Sequence, residues 1–143
     1  MKINDVEQDP ETHLPGPRLT FAMDDTGHYQ IVESVGNHLG TLTVKMMWEH
    51  INEQVEVTAG KVRSGQESPL AFFMAREIME CGLLAKYVGM AGWRIKRHLR
   101  PSVFKKLKTP VLQRYADFFG VTLAEFVNPQ LDGIDLILGK KER

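Results

Sequence analysis

Residues 83–99 read Leu83-Leu-Ala-Lys-Tyr-Val-Gly-Met-Ala-Gly-Trp-Arg-Ile-Lys-Arg-His-Leu99. Two helices that cross closely need a small side chain at the crossing, and Ala85 supplies it. Four residues on, Gly89 offers the left-handed backbone that a tight turn between helices requires. Met90 follows as the apolar plug of that turn. Ile95, six residues after the glycine, sends a branched side chain back into the core, and Leu84 and Val88 complete the inner face. The spacing Ala-x3-Gly-x5-Ile, with Ala85, Gly89, Met90 and Ile95 as its core, predicts helices near 82–89 and 92–100 joined by a sharp turn.

Working outward, Leu112-Gln-Arg-Tyr-Ala-Asp-Phe-Phe-Gly-Val-Thr-Leu-Ala-Glu-Phe126 follows the same logic. Gly120 ends one helix in a left-handed cap, Val121 tucks inward, and Thr122 caps the next helix. Upstream, Ser68 stands at an N-cap and Pro69 at the first helical position. These signals predict five helices, near 69–79, 82–89, 92–100, 109–119 and 122–127, with an extra turn at 101–107. Phe72, Phe73, Phe104, Phe118, Phe119 and Phe126 fall at core positions of these helices.

The run Ala116-Asp-Phe-Phe-Gly-Val-Thr-Leu-Ala-Glu-Phe126, behind the Ala85–Gly89–Ile95 spacing, resembles the lambda-repressor-like (Xre/Cro-type) helix-turn-helix family. There an Ala-x-x-Leu-Gly-Val-Ser-Leu-x-x-Leu pattern follows the reading helix. The resemblance covers residues 68–128. It implies a five-helix DNA-binding domain whose second motif helix lies in the major groove and offers its early residues to base edges. Carried onto this chain, the base-reading candidates are Gly92, Trp93, Arg94, Lys96 and Arg97, with Ala91 beside them. Arginine grips guanine through two parallel hydrogen bonds, which singles out Arg94 and Arg97. Lys86, Arg100, Lys105, Lys106 and Lys108 are the candidates for holding phosphates and setting register. Trp93 has two readings, a stacking contact on the nucleic acid or a partly buried core residue. Three positions depart from the family pattern. Cys81 stands where a phosphate-supporting Gln is usual, His98 stands where an aliphatic residue is usual, and the Ala85–Ala116 interval is about two residues longer.

Charge is distributed unevenly. Residues 1–60 hold ten acidic and three basic residues, whereas 81–116 hold nine basic residues and no acidic one. Those nine are Lys86, Arg94, Lys96, Arg97, Arg100, Lys105, Lys106, Lys108 and Arg114, and the whole chain is formally neutral. A compact segment carrying that charge repels itself, and a polyanion whose counterions it displaces accounts for it. The plainer reading is a solvated face balanced by acids elsewhere.

Upstream of residue 66 the pattern changes. Asp9-Pro10 and Leu14-Pro15-Gly16-Pro17 interrupt regular structure, so residues 1–17 read as a flexible tail. Two β-prone runs, Arg18–Met23 and His28–Ser34, flank an Asp24-Asp-Thr-Gly27 turn and predict a hairpin, which must pack on a helix or another chain. Residues 35–40 read as a loop. A long helix is expected from Thr41 or Thr43 to about Arg63, with Met47, Ile51, Val55 and Val62 near one face and Val44 and Trp48 beside it. That seam either covers the hairpin or meets its copy in a dimer. By family analogy residues 18–65 are a dimerisation element ahead of the DNA-binding domain at 66–130. Residues 131–143 read as a C-terminal tail in which Ile134–Leu138 has strand or helix character.

Several functions find no support in the residues. The histidines and Cys81 lack metal-ligand spacing, so no metal site is expected. No phosphate loop, nucleophile elbow or dinucleotide fingerprint occurs, so neither an enzyme nor a cofactor is expected. Asp24 and Asp25 read as turn residues, and His98 as a packing or phosphate-binding residue rather than a general base. Cys81 reads as a small packing residue, with a thiolate sensor as the alternative. No apolar run spans a bilayer, and a lone cysteine without a signal-peptide core points to the cytoplasm. The expectation is a mainly α, homodimeric transcriptional regulator that binds double-stranded DNA, its control by any small molecule open. The alternative is a non-enzymatic interaction module, antitoxin-like or an adaptor, whose basic face binds an acidic protein.

Overall fold

In the computed structural model, residues 1–9 and 17–131 are described. The C-terminal tail beyond Leu131, with its Ile134–Leu138 segment, lies outside them. Among the described residues two strands, β1 (Arg18–Met23) and β2 (Tyr29–Ser34), precede seven helices. These are α1 (His38–Arg63), α2 (Pro69–Arg76), α3 (Cys81–Val88), α4 (Gly92–His98), α5 (Pro101–Phe104), α6 (Thr109–Phe119) and α7 (Leu123–Val127). The protein is thus mainly helical, with an antiparallel hairpin and a long helix ahead of several short ones. The described residues divide into two compact units, 1–50 and 51–131, and the division falls inside α1.

In the N-terminal unit the hairpin pairs Phe21 with Ile31 and Met23 with Tyr29. Asp24 closes its turn. One carboxylate oxygen accepts from the Thr26 amide and hydroxyl and the His28 amide (2.6–3.0 Å), and the other accepts from Gln30 Nε2 at 2.8 Å. The Thr26 hydroxyl, followed by the His28 amide, holds this carboxyl below the usual aspartate range. Asp24 is therefore a turn-closing residue. Residues 1–9 are not the structureless tail that their polarity suggests. Ile3–Asp5 form a 3-10 turn, Lys2 bridges to Met23, and Gln8 bridges to Gly36. Hydrogen bonds hold this segment, and Ile3 and Val6 are half-buried. Gln8 Nε2 donates to the Glu33 carbonyl at 2.8 Å, and its Oε1 accepts from the Val35 amide at 3.0 Å.

The long helix starts earlier than its apolar periodicity indicates. Asn37 acts as N-cap, its side-chain oxygen accepting from the Gly40 amide at 2.7 Å, so residues 38–40 are helix rather than loop. The buried stripe of α1 follows expectation except at Met47. Val55 and Ala59 are fully buried and Val44, Trp48, Ile51 and Val62 partly so, whereas Met47 faces solvent. Helical geometry explains this, since residues 44, 48, 51, 55, 59 and 62 follow one another at steps of three and four. Gly65 stops the helix with φ of 76°.

In the second unit the core is aromatic. Phe126 is fully buried with its ring centroid 5.2 Å from Phe73, 5.6 Å from both Phe104 and Tyr115, and 6.2 Å from Phe119. Its helix is set by a reciprocal cap: the Thr122 hydroxyl accepts from the Glu125 amide while the Glu125 carboxylate accepts from the Thr122 amide. Such a cap contributes about 1 kcal/mol. Phe118 is the exception among the phenylalanines. It is half-buried, and its ring lies 5.3 Å from exposed Tyr87. The extra turn expected at 101–107 is α5, which with the five expected helices makes up α2 to α7.

Candidate nucleic-acid interface

Leu84 and Val88 of α3 are buried, which turns the other side of this short helix outward. Gly89 ends it at φ 67°, and the Gly89 and Met90 amides both donate to the Ala85 carbonyl. A left-handed residue here reverses the chain within three positions, and Met90 is buried beneath the turn. Ala85 is half-buried. The chain re-enters a helix at Gly92, and Ile95 is fully buried. With Ile95 and His98 inward, helical periodicity leaves residues 93, 94, 96 and 97 outward.

Every charged or aromatic residue assigned to base reading is on that outward side. Trp93 is 63% exposed, which removes its core reading, and Arg94, Lys96 and Arg97 are exposed beside half-buried Gly92. The residues assigned to phosphates are exposed as well but spread over several elements. Lys86 is on α3, which packs against α4; Arg100 precedes α5, Lys105 and Lys106 follow it, and Lys108 precedes α6. Among the described residues none of these cations, nor Arg114, is ion-paired. The basic face thus stands exposed to solvent, with no carboxylate paired to it among the described residues.

What steadies α4 from behind was not evident in the sequence. His98 is buried, and its Nδ1 lies 2.7 Å from the Tyr115 hydroxyl on α6. Ser68, the N-cap residue of α2, does not cap with its side chain. Its hydroxyl donates to the His98 carbonyl at 2.8 Å and its amide donates to the Leu99 carbonyl at 2.9 Å. The visible signal for this network was a histidine at an aliphatic position together with a tyrosine on a core face. Burial, and then the charges of Arg94 and Arg97, hold His98 below its ordinary pKa. It is a buried neutral ring, not a phosphate donor.

No family model, curated protein or solved structure matches this chain. Among the described residues no cluster of histidine, cysteine, aspartate or glutamate is suited to a metal ion, and no helix is long and apolar enough to cross a membrane. Cys81 is half-buried at the start of α3.

Proposed function

We propose that residues 66–130 form a lambda-repressor-like helix-turn-helix domain and that the chain is a sequence-specific, DNA-binding transcriptional regulator. The observation that carries this reading is the outward side of α4, where Trp93, Arg94, Lys96 and Arg97 stand exposed with no carboxylate paired to them. A helix with this side turned out fits the major groove, where arginine discriminates guanine by its two acceptors. Lys86, Arg100, Lys105, Lys106 and Lys108 supply the sequence-independent attraction to phosphates. The mechanism is promoter occlusion or recruitment of a partner, without bond chemistry.

Selection of bound sites from random duplex DNA, at near-physiological salt, tests this. Enrichment of a defined sequence supports the reading. If the folded protein enriches none and also ignores duplex at low salt, the reading is lost. The basic face then belongs to an acidic protein partner.

A further inference from the structure

We propose that the outer face of the β1–β2 hairpin docks an amphipathic helix of a different protein, one whose apolar stripe is flanked by lysine or arginine. This goes beyond the DNA-binding reading and does not rest on it.

Side chains alternate across a strand, so the register sets Leu19, Phe21 and Met23 of β1 on one face, opposite Glu33, Ile31 and Tyr29 of β2. The other face is covered, with Ala22 fully buried and Thr20 and Val32 half-buried. On the outer face Leu19, Phe21, Tyr29 and Ile31 are 71%, 68%, 73% and 60% exposed. Phe21 and Ile31 are directly paired, and Leu19 and Tyr29 are the diagonal neighbours of Ile31 and Phe21. The four therefore make one continuous surface. At these exposures it leaves on the order of 500 Å² of apolar area open, the size of a binding patch rather than of scattered surface residues.

Shape and charge identify the occupant. Two strands of six residues run about 20 Å, the length of about thirteen helical residues, and side by side they are about as wide as one helix. Among the six outer positions the one charge is Glu33, exposed beside Leu19, and no cation pairs with it among the described residues. Its surroundings are acidic too. Residues 1–9 and 17–36 carry Asp5, Glu7, Asp9, Asp24, Asp25 and Glu33 against Lys2 and Arg18. That excess repels a nucleic acid or an anionic lipid surface. A second copy would bring the same acids together, over an area short of the roughly 800 Å² per partner of a standard interface. A helix with basic margins suits both features, its stripe on the four apolar side chains and a cation on Glu33.

The test is selection, by the full-length chain, from a displayed library of random peptides about sixteen residues long, enough to cover the face as a helix. The expected winners carry apolar residues at steps of three and four with lysine or arginine beside them. The tightest of them, made synthetically, should protect amides 19–31 of the unmodified chain from hydrogen exchange. Its affinity should fall at least about tenfold in Phe21→Ser and in Ile31→Ser, with unchanged circular dichroism. Glu33→Lys, or added salt, should weaken it a few-fold. Enrichment of no peptide, of acidic peptides, or of peptides that leave these amides unprotected overturns the proposal. So does a dimer of the chain alone that Phe21→Ser dissociates in sedimentation equilibrium, since the face then belongs to a second copy. Duplex DNA should bind Phe21→Ser and the unmodified chain alike, so the DNA-binding reading stands or falls separately.

Discussion

The hydroxyl of Tyr115 and Nδ1 of His98 lie 2.7 Å apart, both buried, and so a single polar contact ties α6 to the last turn of α4. Burial raises the Tyr115 hydroxyl well above its ordinary pKa and lowers that of the imidazole. Both groups are therefore neutral at physiological pH. A neutral, hydrogen-bonded pair costs little to bury, whereas a charged imidazole beside Arg94 and Arg97 would cost much more.

The consequence for stability has a definite sign. The folded pKa of His98 is depressed below its ordinary value of 6.5, so below that pH the unfolded chain binds more protons than the folded one. Its contribution is complete above about 6.5 and is lost as pH falls through the folded value. Urea midpoints measured from pH 7.5 down to 5 should fall on this account. In a His98→Leu/Tyr115→Phe double variant the decline should be shallower. An unchanged slope there would place the acid sensitivity elsewhere.

Phe126 touches more aromatic neighbours than its short helix would suggest, four rings within 6.2 Å. Phe126→Ala should lower unfolding free energy by about 3–5 kcal/mol, through lost burial and the cavity left among those rings. Phe118→Ala, at a half-buried position one ring away from the core, should cost less than half as much. Chemical denaturation of the two variants side by side checks the ordering.

Ile78 follows α2 with φ of 54°, a left-handed conformation that a branched side chain adopts only under strain, and it is 59% exposed. Ile78→Gly should therefore stabilise the fold by about 1 kcal/mol, since little packing is lost. Gly89 presents the mirror case. A Cβ there meets nothing within 4 Å, but φ is 67°, so Gly89→Ala should destabilise by about 1 kcal/mol through the backbone alone. Thermal midpoints moving in opposite directions would confirm both.

If the DNA-binding reading holds, the two groups of cations should behave differently. Arg97→Ala should cost about 1–3 kcal/mol on the selected sequence and relax preference at one base pair. Lys106→Ala should weaken all sequences alike and reduce the salt slope by about 1. Titrations of matched and mismatched duplexes at several salt concentrations separate the two. Identical behaviour of both variants would refute the assignment of roles.

Much of the second unit was legible because its signals are local. Gly89 and Gly120 take left-handed conformations at helix ends, and Thr122 with Glu125 makes a cap readable within four residues. The outward and inward residues of α4 followed from helical spacing once Ile95 was fixed. What escaped the sequence reading depends on partners distant along the chain or on polar atoms. Gln8 orders the N-terminal segment through its amide, Asn37 starts α1 ahead of any apolar repeat, and Ser68 spends its hydroxyl on a carbonyl 30 residues away. Apolar periodicity cannot report such bonds. It placed Ile51, Val55 and Val62 of α1 correctly but put Met47 on the stripe in place of its neighbour Trp48, because hydrophobicity alone does not choose between them.

The grip of Ser68 on the carbonyls of His98 and Leu99 also sets how α4 can come apart. A seven-residue helix has no persistence of its own in water. With its final carbonyls held by the start of α2 and its last side chain held by α6, α4 cannot fray from its C-terminal end unless those contacts open too. The outward side chains of α4 thus ride on a segment whose lifetime is that of the surrounding cooperative unit, not that of an isolated turn.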